Sequence, residues 1–158
     1  MNTITDLINK EVSTKVRKTR YTKPESVKKL ETLHFRQKKL KHPTVPYLAK
    51  TLFRDDSANG LTRCIIAWLE LHGHFAGRVN TTGTYNAKLG KYIHSGARKG
   101  MSDITSVING IHVSIEVKHG RDLMRPEQIR VKNEIERAGG VYIVARSFDD
   151  FLEQINQL

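Results

Sequence analysis

The chain has 158 residues, enough for one ordinary domain with a modest extension, and its 38% hydrophobic and 27% charged residues exclude a collagenous or wholly disordered protein. No apolar run approaches the roughly 18 residues that a membrane span requires, so no membrane association is expected. The net charge of +11 is unevenly placed: residues 1–54 hold 14 Lys/Arg against 4 Asp/Glu, whereas residues 55–158 hold 13 against 12. The pattern is a basic arm joined to a nearly neutral body, and it suits a polyanion, because each Lys or Arg that neutralises a phosphate releases condensed counterions. The opening MNTITDLINKEV does not read as a basic-then-apolar leader, so secretion is not expected. Cys64 is the single cysteine, which excludes an intramolecular disulfide and a cysteine-based zinc site, so a reducing cytoplasm is expected.

In chain order, residues 1–20 read as a weak helix that dissolves into KVRKTR. Pro24 then precedes a partial helical stripe of Val27, Leu30, Leu33 and Leu40 with a Lys/Arg-rich outer face. Pro43 and Pro46 punctuate a short apolar segment, and RDDSANG breaks the pattern, which puts the expected domain boundary between residues 54 and 55. Residues 61–71 form an amphipathic helix with Leu61, Ile65, Trp68 and Leu69 on one side, ended by Gly73. Residues 75–80 read as a short strand. A polar, glycine-punctuated stretch over 81–99 follows, then two strands, SDITSVI and IHVSIEV, separated by Asn109-Gly110. Pro126 opens a helix that Gly139-Gly140 stops, VYIVA reads as a fully buried strand, and Ser147 with Asp150 resembles a capping box for a last helix. The order α-β-β-β-α-β-α predicts an α/β fold: a mixed central sheet flanked by helices, with a basic helical N-terminal extension. Trp68 and Tyr142 read as core residues.

The chemistry is expected at the Asn109-Gly110 turn, the strongest two-residue hairpin signal, since a type I′ turn needs positive φ at both positions. Ile108 then faces Ile111, and counting back along both strands puts Asp103 opposite Glu116 and Met101 opposite Lys118. Alternation gathers Asp103, Thr105, His112, Ser114, Glu116 and Lys118 on one face and Ile104, Ile108, Ile111, Val113, Ile115 and Val117 on the other. The apolar face must be buried, which sets the register. Two carboxylates directly opposed across a ladder destabilise one another unless a cation sits between them, and oxygen donors favour Mg²⁺ or Mn²⁺ over zinc. Lys118, on the same face, can orient a water or stabilise a phosphate or, more simply, pair with the carboxylates on a solvated face.

Ahead of this site, Lys88, Lys91, Arg98 and Lys99 are interleaved with Tyr85 and Tyr92 and loosened by glycines, a composition that suits a DNA-gripping element or, equally simply, a long hairpin with a charged tip. His119, beside the carboxylate face, is a candidate phosphate contact. His72 and His74 near a helix end read as surface residues, and His112 is left without a role.

Gly100-Met-Ser-Asp103-Ile, Ile115-Glu116-Val117-Lys118, a following helix with Gln128 and the Gly139-Gly140-Val-Tyr strand together resemble the VRR-NUC nucleases, the virus-type replication-repair branch of the PD-(D/E)XK superfamily. The resemblance covers roughly residues 59–158 and implies a restriction-endonuclease-like core over 55–158. It also implies divalent metal held by Asp103, Glu116 and the Val117 backbone carbonyl, an attacking water positioned by Lys118, and Gln128 beside the site. Ser102 replaces the superfamily's proline, as is common in this branch. Many members begin the first helix with a Glu that assists the metal; the corresponding stretch here, 58–62, has no acid. That leaves as auxiliaries Asn59, reaching the site through water, or Asp55 or Asp56, folding back. Glu70 is too near the far end of its helix. The function so implied is a Mg²⁺- or Mn²⁺-dependent DNA nuclease, structure-selective for junctions or flaps, of the kind encoded by phages and mobile elements. The alternative is a DNA-binding accessory protein on a degenerate nuclease fold. A homodimer is the expected assembly, with the apolar residues of 24–40 and 45–53, which have no assigned core, packing against the second copy.

Overall fold

The structure, a computed structural model, describes residues 20–81, 83–93 and 95–158. The N-terminal helix expected over 1–20 therefore lies, apart from Arg20, outside the described residues. The described elements run α1 (Glu25–Lys41), α2 (Ala58–Leu71), β1 (Phe75–Arg78), β2 (Thr84–Asn86), β3 (Lys91–Ile93), β4 (Ile104–Ile108), β5 (Ile111–Val117), α3 (Pro126–Arg137), β6 (Val141–Ala145) and α4 (Phe148–Ile155). The architecture is mixed α/β. A four-stranded sheet has the order β1-β4-β5-β6, antiparallel except for the parallel β5–β6 pair, and β2 and β3 form a separate two-stranded hairpin. Among the described residues no helix is long and apolar enough to cross a membrane.

Local signals place the element ends. Asn109 (φ 51°) and Gly110 (φ 84°) make the positive-φ turn that the hairpin requires, and β4 and β5 pair with Ile108 opposite Ile111 and Ile104 opposite Ile115, in the register read from sequence. The Ser57 hydroxyl accepts a hydrogen bond from the Gly60 amide and starts α2 three residues earlier than its apolar stripe. Ser147 caps α4 the same way through the Asp150 amide. Pro126 occupies the first turn of α3, and Gly139, at φ 85°, ends it.

The apolar face of β4 and β5 packs against α2 and α4 in one cluster that includes Leu61, Ile65, Leu69, Ile104, Ile115, Phe148 and Phe151. Ile111, expected in that face, is 43% exposed: β6 begins opposite Val113, so the turn end of β5 is flanked by β4 alone. VYIVA, expected to be a fully buried strand, is the sheet's edge strand, with Val141 and Val144 half-buried.

The expected division at 54/55 is not a break in packing. Val27, Leu30 and Phe53 belong to the same core cluster as the body, because α1 lies on α2 and α4. Three of the apolar residues without an assigned core therefore find one in their own chain, while Leu33, Leu40, Val45, Tyr47 and Leu52 stay exposed. Leu30→Ala is accordingly expected to cost about 2–5 kcal/mol of unfolding free energy, and Leu40→Ala, at an exposed helical position, to stay within about 0.5 kcal/mol. Urea unfolding of the two variants measures the difference, and equal small losses would detach α1 from the core.

Candidate active site

The polar face of β5 is as well covered as the apolar one. Ser114, Glu116 and Lys118 are all buried, because α3 crosses that face on its way from β5 to the parallel strand β6. One face of this sheet is thus built for packing, and the other encloses charge.

At its centre, one Glu116 oxygen, Oε1, takes the Lys118 ammonium at 3.0 Å and a hydrogen bond from the Gln128 side-chain amide. The Gln128 carbonyl accepts from Lys118 at 3.0 Å and from the Arg125 amide at 2.9 Å, so one side chain at the start of α3 clamps both the acid and the amine. Asp122 adds a third, looser contact to Lys118 at 3.4 Å. One residue beyond the Ile104–Ile115 pair, an Asp103 carboxylate oxygen accepts from the Val117 amide at 2.9 Å. The strand pairing and this bond together hold the two acids near each other. The second Glu116 oxygen, Oε2, is buried without a hydrogen-bond partner among the described residues.

The electrostatics follow from this geometry. Burial first, and the Asp103 charge second, hold the Glu116 carboxyl above its ordinary range, against the lowering influence of Lys118 and Gln128. Tyr142 is paired with Ser114 across the parallel ladder, so its ring lies on the same face as Glu116. Its hydroxyl is buried and held above the ordinary tyrosine range by burial, then by Glu116 and Asp103.

The donor set fits a hard divalent cation. An orphaned carboxylate oxygen, a second carboxylate and a nearby backbone carbonyl are all oxygen ligands, and Mg²⁺ is commonly held by one or two carboxylates with water completing the shell. Among the described residues no group of three or more His, Cys, Asp or Glu side chains is arranged to hold an ion.

The auxiliary candidates go elsewhere. The Asn59 side-chain oxygen takes the Arg78 guanidinium at 2.7 Å, and Arg78 lies opposite Ile104 on β1, on the α2 side of the sheet. Asp55 does not fold back to the carboxylates: it accepts from the Tyr21 hydroxyl at 2.8 Å and from the Phe148 amide at 3.3 Å, tying the start of the described chain to the start of α4. Asp56 is bound by Arg54, whose guanidinium, more than the nearby His119, holds its carboxyl below the ordinary range. Glu70 is in the last turn of α2, beside α1.

The expected DNA-contacting residues divide. Arg98 and Lys99 are engaged by α3, with Glu134 at 2.7 Å and Glu127 at 2.6 Å. Gly100 lets the chain approach α3 this closely: at φ 89°, a side chain there would meet the Glu127 carbonyl oxygen at 2.5 Å. Lys88, Lys91 and His119 are exposed. Within this stretch β2 and β3 form a hairpin with Tyr85 opposite Tyr92. A cleft of about 600 Å³ opens between the base of this hairpin (Thr81, Ser95) and the start of α3 (Arg125, Glu127, Gln128), and Gln128 links it to the buried Glu116. His72 is a surface residue as expected, stacked on Trp68 at 3.9 Å, and His112 hydrogen-bonds Ser114 at 3.0 Å.

Three contributors escaped the sequence reading. Asp122 and Arg125 lie in the loop after β5, and a charged loop residue carries no periodic signal. Tyr142 sits inside an apolar run, and its facing depends on a parallel register that no turn sets. Compared with protein-family models and with curated proteins, the chain matches no family model and no curated protein.

Proposed function

We propose that this chain is a metal-dependent DNA nuclease on a restriction-endonuclease-like core, similar to the VRR-NUC branch, selective for junction or flap DNA and acting in the cytoplasm of a bacterium or phage-infected host. The observation that carries the reading is the buried Glu116, one oxygen without a partner, held near Asp103 and joined to Lys118 and Gln128. Such a cluster is costly as a purely structural device, since it buries Glu116 beside the half-buried Asp103 with Lys118 set against the two carboxylates, and it is readily explained by a further cation. Mg²⁺ or Mn²⁺, bound by Asp103, Glu116 and the Val117 carbonyl, would supply an activated water and offset charge on the phosphodiester. Lys118 would orient that water and stabilise the developing negative charge. Gln128 would keep the acid and the amine in fixed relation, and the adjoining cleft would admit the strand to be cut. A two-copy assembly belongs to the same reading, with the exposed Leu33, Leu40, Val45 and Leu52 as its apolar surface.

The basic arm supplies affinity. Because α1 is part of the core, the informative deletion is residues 1–19, which removes Lys10, Lys15, Arg17 and Lys18 and leaves Val27 and Leu30 in place. If all four touch phosphate, the slope of log K against log[salt] is expected to flatten by about 3.6, at roughly 0.9 per contact. An unchanged slope would assign this segment to something other than phosphate binding.

A non-catalytic DNA-binding role is the second reading. It is favoured by the absence of an acid in the first turn of α2, where Asn59 is engaged by Arg78. The test of both is a cleavage panel of junction, flap, nicked and single-stranded DNA with Mg²⁺ and with Mn²⁺, beside a calorimetric titration of each metal. Cleavage of a branched substrate supports the first reading; DNA binding without cleavage or metal uptake supports the second.

A further inference from the structure

We propose that the β2–β3 hairpin is a stacking platform for unpaired nucleobases, and so directs the chain to DNA that carries a single-stranded segment. Tyr85 and Tyr92 are directly opposed in the hairpin, with ring centroids 5.3 Å apart and planes at 59°, yet they are 55% and 68% exposed. The hairpin belongs to its own two-stranded sheet, and neither ring enters the core cluster. Two large rings are thereby presented side by side to solvent on one face of a short hairpin, which also exposes Leu89 and Ile93.

The cations around them have the matching chemistry. Lys88 in the turn and Lys91 beside Tyr92 are exposed and form no ion pair among the described residues, whereas Arg98 and Lys99 nearer the body are engaged by Glu134 and Glu127. Uncommitted positive charge is therefore found at Lys88 in the turn next to the rings and at Lys91 on the opposite face of β3, so a phosphate backbone following stacked bases would pass the turn. The hairpin also leads to the proposed site. Its bases, Thr81 and Ser95, line the cleft that ends at Gln128, and the rings lie four and three residues further out, a span that chain length limits to at most about 14 Å. A strand held on the rings is thus within a few nucleotides of the cleft.

Selectivity follows from what a base can offer. Every unpaired base has a free π-face, so stacking tolerates any sequence, whereas bases in an intact duplex are already stacked on their neighbours. The inference rests on the nuclease reading for where the strand goes next, but the platform itself is tested without catalysis. Flap DNA carrying 2-aminopurine in the unpaired arm is titrated with the full chain in EDTA, with a blunt duplex as comparison. Stacking is expected to quench the fluorophore on binding. Tyr85→Leu and Tyr92→Leu are expected to relieve the quench and weaken flap binding by about 5- to 150-fold each, with blunt-duplex affinity changed less than about 2-fold. Tyr85→Phe and Tyr92→Phe, which keep the π-face and the strand propensity, are expected to bind like the parent.

Absence of quenching in the parent chain, or equal losses on flap and blunt duplex, would overturn the platform. The Phe variants guard against a hairpin merely disrupted by Leu: if they lose binding as the Leu variants do, stacking is not the cause. Quenching without cleavage of any DNA would sink the nuclease reading alone, and cleavage without quenching would sink the platform alone.

Discussion

Glu116→Gln and Asp103→Ala are each expected to lower DNA cleavage on the order of 10³-fold or more, while binding of the same DNA in EDTA stays at the parent level. Glu116→Gln keeps the shape of a buried side chain and removes only the charge, so the packing of α3 over β5 is retained and the loss is chemical. Asp103→Ala removes the second carboxylate and the bond to the Val117 amide at once, and so also loosens the strand end that carries Glu116. Binding survives because the cations of the N-terminal arm and the hairpin are elsewhere in the chain. Single-turnover cleavage with Mg²⁺ and Mn²⁺ measures the first effect and anisotropy in EDTA the second. A Glu116→Gln protein that cuts at the parent rate in Mn²⁺ would falsify the assignment.

Lys118→Ala is expected to destabilise the metal-free chain by about 3–5 kcal/mol, the usual cost of removing one partner of a buried pair, and to reduce turnover more than metal affinity. Lys118 and Glu116 have side chains 3% exposed and lie 3.0 Å apart, so the substitution leaves a buried carboxylate near Asp103, still bonded by Gln128 but without its cation. The folded-state pKa of Glu116 already lies above its ordinary 4.5, and Lys118 is one of the groups that restrain it, so its loss raises that pKa further. A raised carboxyl pKa favours folding most below about pH 4.5, and the contribution is lost as pH rises through the folded-state value. The deficit of Lys118→Ala in urea unfolding is therefore expected to widen with pH above 4.5 and to narrow again when Mg²⁺ or Mn²⁺ supplies the missing cation. Lys118→Met, which fills the same space without charge, separates this effect from a cavity. A deficit independent of both pH and metal would recast Lys118 as a packing residue.

What could be read from the chain alone has a common physical character: each feature is decided by residues close together in sequence. Asn109-Gly110 closes a two-residue turn, and a two-residue turn sets the register of everything that follows it, so the facing of Asp103 and Glu116 was legible from one dipeptide and an alternation. Ser147 and Pro126 mark helix starts for equally local reasons, since each acts on the backbone of the first turn. The same locality explains what stayed hidden. Whether the polar face of β5 is wet or enclosed depends on where α3 lands after the crossover, and only that packing turns Glu116 and Lys118 from a surface pair into a buried one with an orphaned oxygen. The parallel β5–β6 register, which turns Tyr142 toward the acids, is set by the same crossover and by no turn chemistry. Val27 and Leu30 read as an unpartnered stripe because their partners lie on α2 and α4, far along the chain. Arg98 and Lys99 read as free cations because Glu134 and Glu127 reach them only once Gly100 has brought the chain against α3. Sequence by itself determined which residues face one another across the hairpin and which of its two faces is polar. Tertiary structure alone decided how deeply they are buried and which charges remain free to meet a ligand, because burial and long-range pairing are properties of elements in contact.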